Sequence, residues 1–330
     1  MKKISFSLIA LTIFIVACQK SDSTDEPNIP QEKTISNSSG STSDPIKGRS
    51  CGADEVLQSK LASDPSLRQK MDNIESLTKK AIANGRVNNL GTLEIPVVVH
   101  VIWNTPDENI SDAQIASQID VLNEDFNLRN KDNRLVPSMF SDRKADVDIS
   151  FKLVATKRVN TKLRSWQITD GMKYTNRGGS DAVDPANNLN VWVVDLAGYL
   201  GYAQFPGGDP ATDGIVVDYF AFGRIGNLYT DYNLGRTATH EIGHWLNLRH
   251  IWGDTRCGTD YVDDTPFHTT YNFGCPQFPK YNTCSTNEVE MTMNYMDYTD
   301  DPCMYMFSNG QKGRMLAVFT TGGPRESFTQ

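Results

Sequence analysis

The chain predicts an α/β (α+β) fold, with strands and helices sharing one layered core. Three observations carry that prediction. IPVVVHVIW (95 to 103) is dense in Val and Ile, as a buried strand is. The following segment places Ile115, Ile119, Leu122 and Phe126 at helical spacings of four, three and four behind a capping Ser111. Two more strand-like runs then lead to HEIGHWLNLRH (240 to 250), which holds three of the chain's five histidines.

Taken in order, the chain begins with MKKISFSLIALTIFIVAC: two lysines, a 13-residue apolar run from Ile4 to Val16, then Ala17 and Cys18. That is a secretory signal (1–17), too short to remain as a membrane span. Ile15-Val16-Ala17-Cys18 resembles a bacterial lipobox, which implies cleavage before Cys18 and lipidation of its sulfur. The plain alternative is an ordinary signal peptide that contains a cysteine. Gln19 after the cysteine, by the same resemblance, directs the chain to the outer membrane or cell surface. Residues 18–50 are rich in Ser, Thr, Asp, Asn and Pro, and read as a flexible tether that cannot bury enough apolar surface to order itself.

From Asp54 to Ala83, apolar residues from Val56 to Ile82 recur at helical spacing, with a break near Pro65. GRVNNLGT (85 to 92) reads as a linker. After the first strand and helix, DVDISFKLVAT (146 to 156) and LNVWVVDL (189 to 196) read as strands, and GIVVDYFAFG (214 to 223) as a third at the sheet edge. The 330 residues carry a net charge of −8, which argues against nucleic acid or an anionic membrane as the main partner.

The histidine cluster carries the chemistry. Residues four apart share a helix face, so His240 and His244 can hold one metal ion while Glu241 reaches a water in the open position. This is the HExxH arrangement of zinc hydrolases, in which the ion lowers the water's pKa towards about 7 and the glutamate moves protons. His250 would point roughly 120° away on an uninterrupted helix. It can join only if the backbone turns. The metzincin pattern HExxHxxGxxH, which this stretch resembles, turns at a glycine. That position is held here by Asn247, a departure that is tolerated because asparagine accepts a left-handed conformation. A lone HExxH arises by chance on surface helices; the third histidine argues against that.

HEIGHWLNLRHIWG together with NYMDYTDDPC (294 to 303), ISDAQIASQIDVLNEDF and CGTDYVDDTP resembles the pappalysin family of metzincin peptidases over roughly residues 87 to 320. The resemblance implies a zincin fold: an upper subdomain (87–253) with a twisted mixed sheet and the active-site helix, and an irregular, disulfide-stapled lower subdomain (254–330). It implies His240, His244 and His250 as zinc ligands, Glu241 as general base, Met296 as the Met-turn residue beneath the metal, and Tyr298 as an oxyanion partner rather than a plain core tyrosine. Asp301, near Asp300 and Cys303, is implied at the S1′ pocket floor, with a preference for Lys or Arg at P1′; the plain reading is a solvated acidic turn.

Four cysteines in the exported C-terminal part allow three pairings. The family's arrangement implies Cys257–Cys284 and Cys275–Cys303. Cys51 is left over, and RSCGAD (49 to 54) resembles a metzincin cysteine switch, in which the thiolate occupies the zinc's fourth position. Residues 51–86 are then a pro-segment and 87–330 the catalytic domain, with release around Gly85-Arg86. GTDYVDDTP (258 to 266) gathers hard oxygen donors. By resemblance Asp260, the Val262 carbonyl, Asp263 and Thr265 ligate structural calcium; an acidic loop that binds nothing is the alternative. His100 and His268 are expected to be structural or exposed.

The expected protein is an exported zinc endopeptidase made as a latent zymogen, acting on protein or peptide substrates, touching membrane only through its N-terminal lipid. The rivals are a surface-binding lipoprotein that keeps the fold without activity and a structural calcium-binding surface protein whose histidines hold a non-catalytic zinc.

Overall fold

In the computed structural model, residues 48–329 are described, with the side chain of Asn89 left aside. The signal sequence, Cys18 and nearly all of the expected tether lie outside the described residues. Among the described residues, no helix is long and apolar enough to cross a membrane.

Five strands form one sheet in the order β2-β1-β3-β5-β4: β1 (Leu93–Trp103), β2 (Ile149–Asn160), β3 (Leu189–Val194), β4 (Gly201–Ala203) and β5 (Ile215–Asp218). The first four in that order run parallel, and β4 pairs antiparallel with β5. On one face, Val97, Val99, Val101, Val191, Val193, Ile215 and Val217 pack against α3 (Asp112–Asp125) and α4 (Arg236–Trp245). On the other, Ile102, Trp192, Val194 and Val216 pack against Trp166, Met172 and Val56. A parallel sheet covered on both faces needs apolar residues at consecutive positions, which is why β1 and β3 are continuous apolar runs rather than alternating ones. His100 lies in that second face, stacked on Trp192 and bonded to Ser180 and Asn190, a structural residue as expected.

The sheet edge does not lie where the sequence predicts it. GIVVDYFAFG supplies β5, but β5 is interior, between β3 and β4. The edge is the three-residue β4, too short to leave a periodic signal. Its Gly201 is required by packing: a Cβ there would lie 2.9 Å from the Val216 carbonyl oxygen and 3.0 Å from Glu241 Cγ.

The N-terminal helices are α1 (Ala53–Ser63) and α2 (Pro65–Ala83), divided where Asp64 accepts from the Ser66 N–H at 2.9 Å and Pro65 opens α2. The expected linker from Gly85 holds a 3₁₀ turn at Arg86–Asn89. Residues 49 and 50, assigned by sequence to the tether, instead belong to the folded unit, with Arg49 buried. Beyond α4 the chain is irregular until α5 (Asn309–Ala317), a helix with a Ser308/Gln311 capping box that the sequence reading did not assign. Cys257–Cys284 and Cys275–Cys303 are bonded, with Cα atoms 5.8 Å and 5.5 Å apart, and staple this irregular half.

Candidate active site

Helix α4 is buried along its whole length, which requires its polar groups to be partnered. Arg236 in its first turn binds Asp125 and Tyr295 and reaches Asp132 at 3.0 Å, while Thr239 Oγ1 donates to Asp125 at 2.7 Å. These bonds fix α4 against α3. The helix ends in a Schellman motif: the Asn247 N–H donates to the His244 carbonyl and the Leu248 N–H to the Gly243 carbonyl, both at 2.9 Å. That motif demands a left-handed residue, and Asn247 has φ +73°.

The turn sends the chain back so that His250 faces the helix it has just left. His244 Nε2 lies 3.2 Å from His240 Nε2 and 3.1 Å from His250 Nε2. Each ring's other nitrogen is held by an acceptor: His240 Nδ1 by the Tyr295 carbonyl at 2.6 Å, His244 Nδ1 by the Leu248 carbonyl at 2.8 Å, and His250 Nδ1 by the Asp254 carboxylate. With Nδ1 donating, each Nε2 presents a lone pair to a shared point, the tautomer a metal requires. Burial pushes His240 and His244 well below the usual imidazole range, which favours the neutral rings. Together with Cys51 Sγ these donor atoms lie within 4.8 Å of one another, a set that suits a tetrahedral ion such as zinc.

Cys51 is buried and unpaired by disulfide. Its Sγ lies 3.4 Å from Glu241 Oε2. Burial pushes the Glu241 carboxyl up to about 8. The segment carrying Cys51 pairs in parallel with the sheet edge: the Leu200 N–H donates to the Ser50 carbonyl at 2.8 Å, and the Gly52 N–H to the Gly201 carbonyl at 2.9 Å. Two residues before the cysteine, Arg49 enters a second pocket. Its guanidinium meets Asp301 Oδ1 at 2.6 Å, the Thr299 carbonyl at 3.1 Å and Thr237 Oγ1 at 3.1 Å. Asp301 also accepts from the Leu234 and Arg236 N–H groups at 2.8 Å and 3.2 Å, so it caps the first turn of α4 as well.

Met296 is fully buried under α4, close enough that a Cβ on Gly243 would sit 2.4 Å from its Sδ. The glycine inside HEIGH is therefore a packing requirement. Tyr298 stands beside the histidines, its ring 5.0 Å from His250, and donates from Oη to the Cys51 carbonyl at 3.1 Å.

Residues 174–320 match the family model described as pregnancy-associated plasma protein-A. An extracellular metalloprotease of Colletotrichum graminicola is 32% identical over 284 residues, which is 81% of this chain and 93% of that protein. The chain belongs to the pappalysin family of metalloproteases. Its fold agrees: Tannerella forsythia promirolysin, solved as a variant, superposes with a TM-score of 0.78 at 42% identity, covering 85% of this chain and 97% of that one. Mature mirolysin in complex with a cleaved peptide gives 0.70 at 46% identity, covering 72% and 96%. This pappalysin is thus a metalloendopeptidase with a catalytic zinc site.

Beyond α4 of this pappalysin, Asp260, Val262, Asp263 and Thr265 line one cleft of about 240 Å³. Thr265 Oγ1 donates within reach of both Asp260 oxygens (2.9 and 3.1 Å) and the Val262 carbonyl (3.0 Å), while Asp263 is exposed. Burial pushes Asp260 up to about 6. His268 is buried and accepts from the Met291 N–H, a structural residue. Sequence reasoning missed Asp254, although HIWGD was in view: a carboxylate four residues past His250 was the available signal. It missed Arg49 because a basic residue in a polar stretch reads as solvated.

Proposed function

We propose that this chain is an exported zymogen of a zinc endopeptidase that cuts before Arg or Lys. The single observation that carries the reading is convergence: a histidine beyond a left-handed turn comes within 3.1 Å of the second HExxH histidine, with a cysteine thiol beside them.

His240, His244 and His250 would hold zinc, which supplies Lewis-acid activation of water and of the scissile carbonyl. Glu241, held beside that position, takes the attacking water's proton and delivers it to the leaving amine nitrogen. Tyr298 Oη, free once Cys51 leaves, donates to the developing oxyanion. Met296 packs the floor, and Asp254 keeps His250 in its ligating tautomer.

Latency follows from residues 49–52. Cys51 takes the fourth ligand position, and Arg49 fills the Asp301 pocket that a P1′ side chain would use. A P1′ residue lies C-terminal to the cut bond, whereas Arg49 lies N-terminal to Cys51. The segment therefore runs opposite to a substrate, and its own peptide bonds are not presented for attack. Exposed Arg86, beyond α2, is the bond partner for release. Cys18, lipidated, would anchor the chain outside the cell; the extracellular naming of relatives supports export. The Asp260 cleft is read as a calcium site, supported by the buried, neutrally bonded carboxylate that a hard cation would relieve.

The test is a peptide-library cleavage profile of the protein matured at Arg86, with and without chelator, beside Glu241→Ala and Asp301→Asn. Expected are chelator-sensitive cuts before Arg and Lys, none from Glu241→Ala, and loss of the basic preference in Asp301→Asn, which keeps an oxygen for the α4 cap. Activity in Glu241→Ala, or an unchanged preference in Asp301→Asn, would refute the reading.

A further inference from the structure

The described segment does not stop at the Asp301 pocket. One residue before Arg49, Gly48 lies against the face of Phe273: a Cβ built on it would sit 2.8 Å from Cδ1 and 3.0 Å from both Cγ and Cε1. Gly48 has φ +91°, so only glycine passes there without strain. Cys51 at the histidines, Arg49 on Asp301 and Gly48 on Phe273 thus occupy successive stations leading away from the metal donors.

Phe273 belongs to an aromatic group. Its ring stacks on Tyr298 (centroids 6.2 Å, 18° between planes), Tyr271 stacks on Tyr298 (5.6 Å, 30°), and the two outer rings lie 4.8 Å apart. Tyr298 in turn meets Trp252, which stacks on His250 at 4.3 Å. The outer rings keep much of their surface in water, 47% for Phe273 and 43% for Tyr271, even with Gly48 in place. The loop is nonetheless fixed. The Asp300 N–H donates to the Gly274 carbonyl at 3.0 Å, and Cys275 is bonded to Cys303, two residues past Asp301. Two half-open aromatic faces are therefore held at a set distance beside the P1′ pocket, against an inhibitory segment that brings no side chain to them.

We propose that Phe273 and Tyr271 form the S2′ subsite and select a large apolar or aromatic residue at P2′. The proposal rests on the reading of Asp301 as the P1′ pocket, which sets the register. A P2′ ring stacked on these faces leaves water and gains the aromatic contact, an effect of about tenfold in kcat/KM over alanine. The inhibitory segment lays only the backbone of Gly48 on this subsite and brings no side chain to it, so its side-chain anchors beside the cleft are the thiol and the guanidinium.

The experiment uses the matured enzyme and peptides with Arg at P1′ and Phe, Leu or Ala at P2′, each scored at the bond found cut by mass spectrometry. The wild type is expected to favour Phe over Ala by about tenfold, and Phe273→Ala to reduce that ratio to about twofold while its Arg preference persists. The dipeptides Arg-Phe and Arg-Ala, tested as inhibitors of the wild type, give the same comparison without a variant, with Arg-Phe expected to bind better. Equal cleavage and equal inhibition by the Phe and Ala members, or an unchanged ratio in Phe273→Ala, overturns the proposal. A wild type indifferent to P1′ would sink the Asp301 reading instead. Because scoring follows the cut bond, the P2′ ratio is still read in that case.

Discussion

Replacing Arg49 by alanine opens the latent form without touching the thiol. The Arg49–Asp301 pair is buried on both sides, with side-chain exposures of 1% and 0%. Removing one member of such a pair costs about 3–5 kcal/mol, because the other charge is stranded. Asp301 keeps two N–H donors, from Leu234 and Arg236, so the lower end applies, about 3 kcal/mol. At 1.4 kcal/mol per decade that raises the open fraction roughly a hundredfold. The assay follows alkylation of Cys51 by mass spectrometry in a Glu241→Ala background, where no maturation intrudes. Arg49→Ala is expected to speed alkylation roughly a hundredfold, and Arg49→Lys by less, since the charge stays but the forked hydrogen bonds go. A rate within about threefold of the parent, in a protein with unchanged circular dichroism, would refute the reasoning.

Three further outcomes are expected. Asn247→Gly should retain zinc and full activity, whereas Asn247→Val, a branched residue at φ +73°, should lose about 1–2 kcal/mol of stability and bind zinc more weakly; equal melting temperatures for the two variants would contradict this. Asp254→Ala should weaken zinc about 10–100-fold in chelator competition, because His250 loses the acceptor that sets its tautomer, and unchanged affinity would show that the carboxylate is idle. Burial pushes Asp218 up from 3.8 to about 8, so the folded chain keeps a proton the unfolded chain has released; that contribution is complete below 3.8 and is lost as pH rises through about 8. Asp218→Asn should flatten the fall in melting temperature between pH 5 and pH 9, and parallel curves for variant and wild type would exclude Asp218 as the group responsible.

What was legible in the sequence was whatever repeats or punctuates. β1 and β3 announce themselves because both faces of a parallel sheet must be apolar. The division of α1 from α2 could be read from Asp64-Pro65, and the three histidines with Asn247 encode their own turn. The four C-terminal cysteines pair as the family resemblance implied. Elements decided by tertiary contact left no such trace. β4 is three residues long and exists because its neighbour β5 and Glu241 lie beside it, so GIVVDYFAFG was assigned to an edge that is elsewhere. Arg49 looks like part of a soluble tether until a buried aspartate 252 positions away provides its partner. Phe273 and Tyr271 sit in an irregular loop without periodicity, and only the approach of Gly48 marks them out.

The central claim is that one ion is held by His240, His244 and His250, with its remaining position filled by Cys51 before maturation and left open afterwards. X-ray absorption at the zinc edge, on the intact chain and on the enzyme matured at Arg86, tests it most directly. The intact chain should show three nitrogen neighbours at about 2.0–2.1 Å and one sulfur at about 2.3 Å, and the matured enzyme the same nitrogens with oxygen in place of sulfur. A zymogen without the sulfur neighbour, or a matured enzyme whose zinc is closed by a fourth protein ligand, would contradict the account.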